Sequence, residues 1–180
     1  MSTIALINDI AYTQISMKTK RAVLGQALFL TLTLVLPVIT HRLGLNYLVA
    51  QPMHWMILFA GLTYGPVSGL ILGALAPVVS FMITGMPFPA VLPLMICELA
   101  VYGLVAGLLK QKVTAFGSLA IALIAGKIVF VTLIAILGRL EVSVLEFARM
   151  TWVPGLAAVC LQIALLPVLS GLYINWIKDE

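Results

Sequence analysis

Apolar runs of roughly the length needed to cross a hydrocarbon core about 30 Å thick recur along nearly the whole chain, broken only by short polar or Gly-Pro turns. Such a chain can fold only where lipid receives most of its surface, and within lipid every backbone N–H and C=O must be satisfied internally, which favours helices. Charged residues make up 9% of the 180 positions and hydrophobic residues 63%, whereas an ordinary soluble domain is about a quarter charged. No stretch is left over for a separate soluble domain. The expected fold is an all-α integral membrane protein, with a bundle of about six transmembrane helices over residues 21–180. Residues 1–20 form an N-terminal tail or interfacial helix, with Ile4, Ile7, Ala11 and Ile15 at roughly helical spacing.

The first segment covers about residues 21–40. Basic residues precede it, but it ends at Pro37 and His41 without a small-residue cleavage site, so it reads as a retained helix. The second segment is shorter. Residues 55–64 give only about 15 Å of helix at 1.5 Å per residue. Either residues 45–49 also enter the membrane, kinked at Pro52, or the helix is short and shielded by protein. Gly65-Pro66 ends it, because proline disfavours helical geometry in the residue before it and suits a helix's first turn. Further helices are predicted over residues 67–84, 90–109, 116–138 and 152–177. A tight turn at residues 86–89 and a polar loop at Lys110-Gln111-Lys112 separate three of them. Residues 139–151 are long enough to carry a helical turn over a pocket mouth.

The distribution of Lys and Arg sets an expected orientation. Lys18, Lys20, Arg21, Lys110, Lys112 and Lys178 fall on one side, against Arg42, Arg139 and Arg149 on the other. Both termini are therefore expected in the cytoplasm, and the protein in the inner (cytoplasmic) membrane. The net charge of +4 is scattered over short loops without an aromatic-basic patch, which argues against nucleic acid as a partner. Cys97 and Cys160 lie in apolar stretches without CxxC spacing and read as small core hydrophobes. There is no HExxH, GxSxG or GxxxxGK[ST] motif and no paired-carboxylate metal motif. Neither catalysis, a metal, a cofactor nor ATP hydrolysis by this chain is expected.

Small residues form stripes at helical spacing: Gly69, Gly73, Ala76 with Pro77, Ser80 and Thr84; then Gly103 and Gly107; then Ala122 and Gly126. In lipid, helices gain no hydrophobic driving force by meeting, so close van der Waals contact through such stripes is their main attraction. The stripes predict a compact bundle without naming a task.

The ionisable residues within the apolar segments are more specific. Glu98 and Lys127 each lie near the middle of a helix, where a charge costs about 2.5–3.5 kcal/mol on insertion scales. Their helices are sequence neighbours joined by a short loop, so the two can meet as an ion pair, or one or both can face a cavity and bind a polar or charged solute. A role in holding a polar solute is compatible with that pair. Gln162, Gln51 and His54 fall on the outer side in the orientation above, with helix–helix hydrogen bonds or an interfacial position as the plain alternatives. Trp55, Trp152 and Trp176 lie near helix ends, as aromatic belts do; only Trp152 also suits a pocket wall.

The run QPMHWMILFAGLTYGP at residues 51–66, followed by Gly69 and Gly73, then GMP at 85–87 and PLMICELAVYG at 93–103, resembles the substrate-binding S-components of energy-coupling factor transporters. The resemblance implies a small membrane protein that captures a water-soluble vitamin or precursor at its outer face, under the loop after the first helix. It also implies that the protein tumbles in the bilayer to release the solute inside. Its implied partners are a transmembrane coupling protein and two cytoplasmic ATPases, besides membrane lipid. The family commonly docks through an Ala-x-x-x-Ala pattern on the first helix; here Ala22, Gly25, Ala27 and Thr31 are available, and only Ala27 and Thr31 have that spacing. The expected substrate-binding residues are Gln51, His54, Glu98, Lys127, Trp152 and Gln162. The mid-depth charges favour a carboxylate or zwitterion over a neutral sugar unless they neutralise each other. A scaffold of the rod-shape-determining type, which binds proteins and no solute, is the alternative, and a membrane-embedded enzyme ranks third.

Overall fold

Proline and glycine mark most of the helix boundaries in the computed structural model, which describes residues 14–15, 20–44, 51–138 and 142–178. The helices are α1 (Lys20–Arg42), α2 (Pro52–Tyr64), α3 (Pro66–Thr84), α4 (Leu92–Lys110), α5 (Ala115–Ile136), α6 (Val144–Trp152) and α7 (Leu156–Lys178), with a 3-10 turn at Val153–Gly155. Among the described residues there is no strand. Pro52 and Pro66 sit in the first turns of α2 and α3, where a missing N–H costs nothing. Gly65 alone separates α2 from α3, and its φ of 95° is open only to glycine. Thr114 and Ser143 cap α5 and α6 by accepting from the N–H groups of Gly117 and Glu146, at 3.2 and 3.3 Å.

Among the described residues, five stretches are long and apolar enough to cross a membrane: Lys20–Thr40, Pro66–Thr84, Leu92–Lys110, Ala115–Ile136 and Val144–Ile177. Their outward faces carry apolar side chains such as Leu24, Met82, Ile83 and Ile136, all exposed, as suits a multi-pass bundle in lipid. The sixth expected crossing, α2, is the exception in length. Its 13 residues span about 20 Å at 1.5 Å per residue. Residues Ile57 to Tyr64 are all buried, beneath α1, α3, α4 and α7. Protein therefore shields the short helix, which is one of the two expected solutions. Residues 45–49, on which the other depended, lie outside the described residues.

Helix α3 packs on α4 along the predicted small-residue stripe. A Cβ at Gly69 or Gly103 would overlap the other's backbone, one at Gly73 would meet Leu99 and Ala100, and one at Gly107 would meet Pro66. These pairings run in opposite directions along the two helices, so α3 and α4 are antiparallel. Gly126 of α5 makes the same kind of close approach to the ring of Tyr102.

Several expectations need correction. Cys97 and Cys160, expected in the core, are both exposed. The last helix begins at Leu156, not at residue 152, because Pro154 and a 3-10 turn interrupt it; Trp152 therefore ends the separate helix α6. The helical turn expected within residues 139–151 is a nine-residue helix, while residues 139–141 lie outside the described part. Lys110, read as a loop cation, is instead buried at 1% exposure and donates to the Leu62 carbonyl at 2.9 Å. The last carbonyls of a helix lack intrahelical partners and carry partial negative charge, so this ammonium group caps α2. At the same end, Gln14 donates to the Gly107 carbonyl and the Ile15 N–H to that of Thr63, at 2.8 and 2.7 Å. The Tyr64 and Tyr173 hydroxyls meet at 2.6 Å over Gly25, where a Cβ would collide with both.

Candidate functional site

The up-and-down course of the chain brings the beginnings of α2, α4 and α7 and the end of α5 to one end of the bundle. His54 lies in the first turn of α2; Glu98 and Gln162 lie about two turns into α4 and α7, and Lys127 about two and a half turns from the end of α5. Four helices thus deliver their polar side chains to the same half of the bundle.

Within that half the Lys127 ammonium meets Glu98 Oε1 at 2.6 Å, with the two side chains 15% and 6% exposed. The ion pair, one of the two expected arrangements, is present. Tyr102, one turn along α4 from Glu98, donates its hydroxyl to the same carboxylate oxygen at 2.7 Å. Its ring centroid lies 5.0 Å from that of His54. Lys127 also sits over the Phe130 ring, 5.2 Å from its centroid, which adds a cation–π contact. Phe130 stacks in turn on Phe147 of α6, with centroids 6.3 Å apart. A continuous set of contacts therefore runs from α2 through α4 and α5 to α6.

What is left without a partner is as informative. Most buried hydroxyls and the buried lysine of this bundle are satisfied: Thr33, Thr63 and Ser170 bond back to carbonyls of their own helices, Ser118 donates to the Ala106 carbonyl at 2.6 Å, and Lys110 caps α2. Among the described residues, the buried side-chain atoms lacking any hydrogen-bond partner are Gln51 Oε1, both ring nitrogens of His54, and both amide atoms of Gln162. Each such atom costs about 1–3 kcal/mol. All five belong to residues at the end that holds the ion pair.

The local backbone explains how two of them are turned inward. Gln51 precedes α2 with φ 45° and ψ 51°, the only non-glycine positive φ among the described residues. A left-handed conformation costs a residue with a Cβ roughly 1–2 kcal/mol, and here it accompanies a side chain only 7% exposed. Gln162 lies on the inward stripe of α7 with Ala158, Leu166, Ser170 and Ile174, and is fully buried. That stripe faces α2 and α5, so an amide occupies a position that its own helix otherwise fills with small or apolar groups.

Trp152, the remaining expected residue, is 38% exposed at the end of α6 and lies outside this buried group. Tyr102, Phe130 and Phe147 were absent from the expected set. Tyr102 could be inferred from the sequence, since four residues from Glu98 on a helix means the same face. Phe130 and Phe147 carried no signal beyond hydrophobicity. Among the described residues, no three His, Cys, Asp or Glu side chains come together to hold a metal ion. The arrangement can neutralise its own charges and offer donors and acceptors to something placed among them.

A family model described as ECF transporter, substrate-specific component, matches residues 21–175. No curated protein and no solved structure matches the chain.

Proposed function

The chain belongs to the substrate-specific components of ECF transporters, non-catalytic membrane subunits that bind a substrate of the vitamin type for uptake, and we propose that its substrate lies among Gln51, His54, Glu98, Lys127 and Gln162. The observation that carries this assignment is the set of five unpartnered buried polar atoms on Gln51, His54 and Gln162. Buried polar groups are ordinarily satisfied, and an exception calls for a ligand or a functional cost. Trp152 takes the rim of the site. Tyr102 holds Glu98 in place and presents its ring beside His54.

In this reading the site faces the outside and both termini face the cytoplasm of an inner-membrane protein, with residues 1–20 as a tail and 21–180 as the membrane domain. The cationic Lys20, Arg21 and Lys112 at the opposite end support that orientation. A transmembrane coupling protein and two cytoplasmic ATPases supply the energy. The outer face of α1 is the surface for docking the coupling protein: Ala27 and Thr31 are exposed there, flanked by exposed Leu24, Leu28 and Val35. Ala22 and Gly25, by contrast, are buried against the bundle. The Thr31 hydroxyl bonds back to the Ala27 carbonyl at 2.9 Å, so the helix offers a polar-satisfied small-residue face.

Solute uptake by cells carrying single His54→Leu and Gln162→Leu variants tests the site. Both are expected to insert normally and to lose at least tenfold in uptake. Undiminished uptake in both would remove the site from this half of the bundle.

A further inference from the structure

The charges at the proposed site are spent on each other. Lys127 and Glu98 meet at 2.6 Å, the Tyr102 hydroxyl bonds the same carboxylate oxygen, and the Phe130 ring lies beneath the ammonium. A solute carrying a carboxylate would have to compete with Glu98 for Lys127 inside a low-dielectric bundle, where separating a buried pair leaves one charge uncompensated.

The atoms that remain unused are of another kind. Gln162 offers an amide donor and an amide acceptor side by side, Gln51 offers an acceptor, and a neutral imidazole at His54 offers one donor and one acceptor. An amide of this type is matched by an adjacent acceptor and donor on a planar partner, as when glutamine reads a ring nitrogen next to an exocyclic amine. The ring of Tyr102, tilted against that of His54, adds flat apolar surface at the imidazole.

The geometry points to an uncharged nitrogen heterocycle, or a ring carboxamide, as the substrate class, recognised by Gln162, Gln51 and His54 while the Glu98–Lys127 pair stays closed. This inference rests on the site assignment made above. The mid-depth charges favour a carboxylate or zwitterion only if they do not neutralise each other, and here they pair.

The test is thermal denaturation and equilibrium binding of the detergent-purified full-length protein with matched solutes: nicotinamide against nicotinate, pyrazinamide against pyrazinoate, cytosine and uracil against orotate, and adenine. A neutral member is expected to bind at least tenfold tighter than its carboxylate counterpart and to lose that affinity in Gln162→Leu. A carboxylate that binds as tightly or tighter, and is lost in Gln162→Leu, overturns the substrate class and leaves the site standing. A solute whose affinity is unchanged in both Gln162→Leu and His54→Leu overturns the site as well. No binding by any of the neutral rings overturns the class.

Discussion

Gln162 is placed where a leucine would pack better. It is fully buried with both amide atoms unsatisfied, so Gln162→Leu is expected to stabilise the ligand-free protein by about 1–3 kcal/mol while weakening the solute. Thermal denaturation without ligand, followed by binding, checks both halves, and a destabilised variant would contradict the unsatisfied state of the amide. Glu98 and Lys127 behave in the opposite way. Glu98→Gln or Lys127→Met alone leaves a buried charge and is expected to cost about 3–5 kcal/mol, most of it recovered in the double variant. This pair was legible in the sequence because both residues interrupt apolar helices that a short loop makes neighbours. Tyr102 was less visible, since an aromatic residue in an apolar run looks like core until its position one turn from a carboxylate is considered. Lys110 looks like a loop cation in the sequence because it ends a segment next to a polar loop. Its membership of the buried stripe of α4, with Leu99, Gly103 and Ala106, was the signal that placed it under the carbonyls of α2.

Among the elements, the contact of α3 with α4 depends most directly on the absence of side chains. Gly69→Ala or Gly103→Ala puts a methyl group into opposing backbone, where no rotamer can relieve it, and each is expected to cost about 1–3 kcal/mol. Melting temperatures of the two variants and of the combination check this; an unchanged value in either would show that the helices can separate freely. The stripe itself was readable from spacing alone, because in lipid small residues at i and i+4 have few other uses. The division of the last segment into α6, a 3-10 turn and α7 was not. Hydrophobicity runs across the junction without a break, and the interruption comes from Pro154 together with the cap at Ser143, features that only local geometry distinguishes from a continuous span. The shortness of α2 was evident from Gly65-Pro66, but its shielding on all sides is a property of neighbours that no single segment reveals.

At the scale of the whole molecule the two ends are built differently. One end gathers unsatisfied polar atoms, while the other is closed by Lys110, by the Tyr64–Tyr173 contact and by Gln14 and Ile15. The proposed docking face on α1 belongs to neither, which predicts that binding and energising are separable. Ala27→Trp is expected to leave solute affinity within twofold and to abolish co-purification of the coupling protein. Retention of the partner would move the docking face elsewhere. The closed Glu98–Lys127 pair also has an electrical meaning. Moving one elementary charge across the full membrane potential is worth about 2.3 kcal/mol per 100 mV, so an anion held about a third of the way in would bind with an affinity that varies by roughly 0.8 kcal/mol per 100 mV. A site whose own charges cancel, receiving an uncharged ring, moves no charge through the field, and capture is then electroneutral, as tight on a depolarised cell as on an energised one.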